Sequence, residues 1–139
     1  MTEEKISKVQ LKRLQKALGT VPFAKLLKLE LDDVGVGTAT LGLDVRKELT
    51  QNQDIVHGGA IASLIDTATA FAILTRLAPR ERITTVDLTI SYLRPVSMGR
   101  LRAVAKVVRA GRRLFVVSAE VFDGDGKLAT TALSTYIKV

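Results

Sequence analysis

Hydrophobic positions along the chain change period several times, and each change marks an element. Leu11, Leu14 and Leu18 recur at helical spacing, with Glu3 and Glu4 ahead of them, Lys12, Arg13 and Lys16 behind, and Gly19 just after. Early acids and late bases complement the helix dipole, and the glycine is a stop signal, so residues 1–19 are predicted to hold a first helix. Thr20 and Pro22 stand where they would open a short second helix. From Glu30 to Val45 the pattern becomes short strands punctuated by Gly35, Gly37 and Gly42, and "LTQNQDIV" is a polar loop.

Residues 58–77 are too long for one strand and contain no proline and no glycine beyond the opening Gly58–Gly59 pair. They are apolar nearly all round, the pattern of a buried helix. In "ITTVDLTISYLRP", Val86, Leu88, Ile90 and Tyr92 alternate with Asp87, Thr89 and Ser91, a half-buried strand that Pro95 ends. Three more strands follow, broken at "AGRR" and "DGDG", both hairpin-like. The prediction is a helical lead-in, two strands, one long buried helix and four strands joined largely by hairpins. A sheet wrapped around a single helix buries both, giving an α+β domain with no repeat, linker or low-complexity segment.

Composition narrows the chemistry. A chain of 139 residues that is 47% hydrophobic and 25% charged has globular usage and suffices for one domain with a core. With no cysteine and one histidine, disulfides, thiolate metal sites and a His-rich zinc site are not expected. The N-terminal stretch "MTEEKISKVQLKRLQKALG" lacks an apolar signal-peptide core. The weakly polar run 58–74 is interrupted by Ser63, Asp66, Thr67 and Thr69 and is short for a span of ~20 residues. The expected setting is the cytoplasm.

The net charge of +7 is concentrated: no acid lies between Asp87 and Glu120, where Arg94, Arg100, Arg102, Lys106, Arg109, Arg112 and Arg113 are found. A strand through "RLRAVAKVV" places Arg100, Arg102 and Lys106 on one face and Leu101, Ala103, Ala105 and Val107 on the other. Such a face suits solvent, an anionic ligand or nucleic acid. An aromatic content of 4% offers few platforms for stacked bases.

The chemistry centres on "VHGGAIASLID". Gly58 and Gly59 fall where the long helix starts, so unpaired backbone N–H groups and the positive end of the dipole face whatever approaches. Glycine lets a ligand come close to that backbone, a ready site for an anion or for a carbonyl oxygen acquiring charge. The same glycines equally suit a tight turn or close packing. Asp66 is costly in an apolar helix unless it is paired, which points to a base or nucleophile in a partly desolvated site as readily as to a hydrogen-bonded structural acid. Eight residues separate Gly58 from Asp66, about 12 Å along a helix, too far for one thioester or ester carbonyl to touch both. A second helix running antiparallel would bring its Asp66 opposite the first Gly58, and Gly59, Ala62 and Ala70 would let the two lie close. The site is therefore expected to be composite, in a two-fold dimer with two sites.

"HGGAIASLIDTA" resembles the motif of hotdog-fold acyl-CoA thioesterases of the phenylacetic-acid-degradation (PaaI-like) type. The sheet half, "TVDLTISYLRPVSMGRLRAVAKVVRAGRRLFVVSAEVFDGDGKLATTALSTY", resembles the same family, and the likeness runs from about Pro22 to the C-terminus. The domain is thus expected over 20–139, with 1–19 a helix outside it. The resemblance implies a central helix wrapped by an antiparallel sheet, dimers that join their sheets edge to edge, and dimers that pair into tetramers. It implies that the Gly58 N–H polarises the thioester carbonyl of an acyl-CoA, while Asp66 of the partner chain activates water or attacks directly. His57 would shape the oxyanion turn. The family's asparagine six residues before the histidine is replaced by Gln51, with Asn52 adjacent, and either amide offers a donor and an acceptor. Thr85 occupies a position where relatives carry a hydroxyl that positions water, although the alternation places it opposite Val86 and Leu88.

The leading expectation is an acyl-CoA thioesterase without cofactor or metal, whose partners are acyl-CoA and copies of itself, with neither nucleic acid nor a membrane. Gly59 belongs to the substrate-binding turn, and Arg112 and Arg113 suit the phosphates of CoA because guanidinium groups offer several donors. A noncatalytic acyl-CoA-binding or regulatory hotdog module is the alternative, and binding alone has no need of a buried carboxylate. Nucleic-acid binding through the basic strands would show salt dependence without acyl-CoA. A hydratase of the same fold would need a His–acid pair, and the order and spacing of His57 and Asp66 match the thioesterases better. Ala60, Ala62, Ala68, Ala70 and Ala72 suggest room beside the helix, without identifying the acyl group.

Overall fold

The computed structural model describes residues 6–139. The elements run α1 (Lys8–Gly19), α2 (Pro22–Leu27), β1 (Glu30–Gly35), β2 (Thr38–Asp44), a 3-10 turn (Lys47–Leu49), α3 (Gly58–Leu74), β3 (Ile83–Tyr92), β4 (Arg100–Ala110), β5 (Leu114–Phe122) and β6 (Leu128–Lys138). The strands form one antiparallel sheet in the order β1-β2-β4-β5-β6-β3. The α+β layout expected from the alternation is present, with α3 packed against β2, β4, β5, β6 and β3.

The core lies between α3 and the inner face of the sheet. Leu64, Ile65, Ala68, Ala72 and Ile73 are fully buried against Leu41, Leu43, Leu101, Val117 and Val121. Ala103, Ala105 and Ala119 keep the facing sheet positions small, so the helix can lie close. Truncating a side chain such as Leu64 to alanine would cost roughly 2–5 kcal/mol. The residues of α3 that remain partly exposed include Gly59, Ala62, Ser63, Asp66, Thr67 and Ala70, leaving a face of mostly small side chains.

Several ends differ from the expected ones. Helix α1 starts at Lys8 with Ser7 as N-cap, in a capping box with Gln10. The expected contribution of Glu3 and Glu4 falls outside the described residues. Thr20 closes α1 instead of opening α2, since its hydroxyl donates to the Ala17 carbonyl at 2.7 Å; Val21 precedes α2 and Pro22 is its first residue. Helix α3 stops at Leu74 rather than residue 77. There the Thr75 hydroxyl donates to the Ala72 carbonyl and accepts the Gly37 N–H, both at 2.7 Å, tying the helix end to the β1–β2 hairpin.

Strand β4 alternates as expected, with Leu101, Ala103, Ala105 and Val107 buried and Arg102 and Lys106 exposed. Arg100 shares that face, as expected, but it is ion-paired there rather than open. Its guanidinium contacts Asp32 at 2.7 Å, Glu30 at 2.9 Å and Asp44 at 3.1 Å, and the hydrogen bond to Asp32 leads in raising its pKa despite partial desolvation. The arginine crosses β2 over Gly42, where any Cβ would collide with the guanidinium.

The two edges of the sheet are treated differently. At the β1 edge, α1 packs alongside and Gln15 donates to the Leu31 carbonyl at 3.4 Å. Edge strand β3 pairs only with β6 among the described residues. It carries the exposed Val86 and Tyr92, with Leu93 beyond its end. A ten-residue edge of this kind is a template for another strand.

Candidate active site

The start of α3 is shaped by His57. Its backbone is extended (φ −65°, ψ 133°) and its ring Nδ1 accepts the Gly59 N–H at 2.8 Å, so the histidine is the N-cap. That bond makes Nδ1 the acceptor nitrogen. The His57 carbonyl accepts the Ala60 N–H at 2.9 Å. The N–H of Gly58 meets no acceptor among the described residues. Packing is tight at both glycines: a Cβ on Gly59 would clash with His57 Nδ1 at 2.9 Å, while one on Gly58 would meet the Tyr92 ring at 3.2 Å, a contact that a small shift of the ring relieves. The two readings of the glycines, close packing and a free donor, therefore coexist.

Gly58 borders a cavity of about 310 Å³ shared with Gln51, Tyr92 and Arg94. Tyr92 donates to the Gly58 carbonyl at 2.8 Å, fastening the end of β3 to the start of the helix. Gln51 reaches this hollow because the loop turns sharply at Gln53 and Asp54, both with positive φ, and the Gln51 N–H donates to the Ile55 carbonyl at 2.7 Å. Asn52 is exposed and borders neither this cavity nor that of Asp66.

Asp66 sits in a different setting, only partly buried. Thr85 donates to its Oδ1 at 2.9 Å, and the Tyr136 hydroxyl lies 3.1 Å from the same oxygen and 2.6 Å from the Asp66 carbonyl. Thr69 stands 2.7 Å from the Tyr136 hydroxyl. Burial raises the pKa of Tyr136, helped by the negative charge of Asp66, so the phenol keeps its proton and serves as a donor. The acid in the apolar helix is thus bound by hydroxyls, with one carboxylate oxygen outside this network. It opens onto a cavity of about 520 Å³.

Thr85 comes within reach through an irregularity that the simple alternation does not contain. The register of β3 on β6 shifts between Thr85, opposite Tyr136, and Asp87, opposite Thr135. Val86 is the extra residue of this bulge and is exposed, not on the inner face with Leu88 and Ile90 as the alternation predicted. The bulge puts Thr85 on the same face as Leu88.

One chain does not unite the two ends. Gly58 and Asp66 border separate cavities, and β3 links them antiparallel to α3, Thr85 beside Asp66 and Tyr92 beside Gly58. Arg112 and Arg113 border neither cavity. They are exposed in the β4–β5 turn, where the Arg113 carbonyl accepts the Lys138 N–H at 2.8 Å. Lys138 pairs with Ile83, which lines the Asp66 cavity, so this basic turn lies at the Asp66 end of the sheet. Tyr136, Tyr92 and Arg94 are the neighbours that sequence reasoning missed. Among the described residues no group of acidic or imidazole side chains could hold a metal, and no helix is long and apolar enough to cross a membrane.

A long helix held in an antiparallel sheet, with a helix-borne carboxylate beside a cavity, places the protein among the hotdog folds. Residues 53–130 match the thioesterase superfamily, and the chain belongs to that family; it is a thioester hydrolase. The medium/long-chain acyl-CoA thioesterase YigI of Salmonella typhimurium is 30% identical over 132 residues, covering 84% of this chain and 85% of that protein. The conserved protein PA5202 of Pseudomonas aeruginosa superposes with a TM-score of 0.84 at 31% identity, over 89% of this chain and 98% of the other. The phenylacetic acid degradation protein PaaI of Thermus thermophilus gives 0.78 at 28% identity, over 85% and 99%.

Proposed function

We propose that this chain works in the cytoplasm as an acyl-CoA thioesterase whose site is shared between two protomers. The observation that carries the reading is the division of labour along α3: an unused N–H at Gly58, and a carboxylate with a free oxygen at Asp66, about 12 Å away. The open edge of β3 supplies the geometry. A two-fold axis near Leu88 and Thr89 pairs β3 with its copy and sets Thr85 of one chain opposite Tyr92 of the other. Because Thr85 holds Asp66 and Tyr92 holds Gly58, that pairing draws Asp66 of the partner subunit toward Gly58. Pairing of two such dimers gives a tetramer.

In such a site the thioester carbonyl oxygen accepts the Gly58 N–H, where the helix dipole favours the charge it gains. Asp66 of the partner subunit removes a proton from water as the water oxygen attacks the carbonyl carbon; the C–S bond breaks, and the proton passes to the departing thiolate. Direct attack by Asp66, giving an anhydride that water then opens, uses the same geometry. Thr85 and Tyr136 hold the carboxylate in place. His57 holds the turn, Gln51 faces the carbonyl side, and Arg112 and Arg113 take the phosphates of CoA. The relative YigI bears a medium/long-chain name, and we extend that substrate class to this chain.

Release of free CoA from acetyl- to hexadecanoyl-CoA tests the reading. The expected outcome is turnover, with KM for acyl-CoA raised by R112A/R113A more than KM for a truncated pantetheine thioester. Binding of acyl-CoA without turnover would leave a binding module. Equal losses on both substrates would reassign the arginines.

A further inference from the structure

The 520 Å³ cavity at Asp66 has a wall that the family match does not include. Its floor is Ala70, Phe71 and Leu74 of α3, and its opposite side is Ala17 of α1 with Val21 just beyond that helix. Both lie outside residues 53–130. Helix α1 is fixed firmly enough to act as a wall, since Leu14 and Leu18 are buried in the common core. The cavity runs from Asp66 towards Leu74, eight residues or about 12 Å along α3. Besides Asp66 it has two charged lining residues: Glu81 is engaged elsewhere, bound to Lys138 at 2.6 Å and to the Ala78 N–H, and Arg82 is exposed to solvent. The hydroxyl-held carboxylate therefore stands at one end of a mainly apolar slot.

We propose that the lead-in helix sets acyl-chain length, with Ala17 and Val21 as specificity-determining residues for a straight apolar acyl group lying between α1 and α3. This rests on Asp66 being the catalytic carboxylate. With the carbonyl carbon at Asp66, the polar CoA leaves towards solvent, and the alkyl tail takes the slot that removes it from water. Ala17 leaves room where a larger side chain would stop the tail, and Val21 borders the same space. Chain-length preference is then written in a segment outside the residues that match the family.

The test compares kcat/KM for dodecanoyl-CoA and butyryl-CoA in the unaltered protein, Ala17→Phe and Val21→Phe. Loss of one or two methylene sites in an apolar pocket changes discrimination by roughly tenfold or more, so the dodecanoyl/butyryl ratio should fall at least about tenfold in Ala17→Phe. Val21→Phe, at a position 40% exposed and outside the core, should shift the ratio in the same direction. Should Ala17→Phe fail to fold, Val21→Phe decides alone. A folded variant with an unchanged ratio, or equal losses on both substrates, overturns the proposal while the thioesterase reading stands. Absence of turnover on every acyl-CoA by the unaltered protein overturns the thioesterase reading, and this proposal with it.

Discussion

At Gly58, α3 offers an N–H without an acceptor among the described residues, over a 310 Å³ hollow bordered by Gln51 and Arg94; at Asp66, about two turns on, it offers a carboxylate held by Thr85 and Tyr136 beside a mainly apolar 520 Å³ cavity. The first end has a donor and no carboxylate, and the Nδ1 of its histidine, His57, is taken up by the Gly59 N–H. The second has a base, and the backbone N–H groups around it are engaged within the helix. Packing explains the glycines and hydroxyls explain how an acid survives in the helix, so each end is stable by itself. Chemistry on a thioester needs both. On the proposed reading the missing half comes from a second chain, and the edge of β3, which pairs only with β6 among the described residues whereas α1 packs alongside β1, leaves room for that pairing.

The largest expected effects come from disabling either end. Asp66→Asn keeps the volume and lets Thr85 and Tyr136 still donate to the amide oxygen, but removes the base, so kcat should fall by ~10²–10⁴-fold. Gly58→Pro removes the donor at the other end. Proline is favoured at the first helical position, and the extended backbone of His57 (ψ 133°) is what a following proline requires. A Cβ there stands 3.2 Å from the Tyr92 ring, which must give slightly, and the thermal melt checks that the proline is accommodated. Loss of one oxyanion donor should lower kcat by ~10²–10³-fold. Single-turnover assays with thermal melts check both, and full activity in Asp66→Asn would make that residue structural.

A smaller effect is expected from Thr85→Val, which removes the 2.9 Å bond to Asp66 Oδ1 but keeps the shape of the side chain. A hydrogen bond to a charged group is worth ~1.5–3 kcal/mol, which converts to a drop in kcat of roughly 10- to 150-fold at most, with the lower end expected at this exposed threonine and KM little changed. Unchanged kcat would show that Tyr136 alone fixes the carboxylate.

The smallest effect concerns Tyr136 and pH. Burial raises the phenol's pKa, so the folded chain holds that proton more tightly than the unfolded chain does. Its contribution to stability is complete below the unfolded value of about 10 and is lost as pH rises above it. Denaturant melts between neutral and strongly alkaline pH should show a shallower alkaline loss in Tyr136→Phe than in the unaltered protein. Parallel curves would remove Tyr136 as the titrating group.

The sequence made the helix, the hairpins and the separation of Gly58 from Asp66 legible because those features are local. Turn residues stand at "AGRR" and "DGDG", and helical rise is a constant. What stayed hidden depends on register. Tyr136 lies 70 residues from Asp66, and only the pairing of Thr85 with Tyr136 brings it there. One sign was available: Ser134 and Tyr136 are polar residues on the inward face of β6, a costly placement that asks for partners. The bulge at Val86 could not be read because a one-residue slip leaves composition and alternation nearly intact. The face of Arg100 was legible but its neutralisation was not, because its three carboxylate partners, Glu30, Asp32 and Asp44, come from β1 and β2.

Mixing two inactive proteins tests the shared site most directly. Asp66→Asn and Gly58→Pro chains are combined, exchanged under mild denaturant and returned to buffer, with heterodimer formation followed by native mass spectrometry. A heterodimer contains one site with both an intact Gly58 N–H and an intact Asp66, and one site with neither. Random exchange should therefore restore about a quarter of the unaltered activity, since half the dimers are mixed and half their sites work. Heterodimers that form without any return of activity would contradict a site built from two chains.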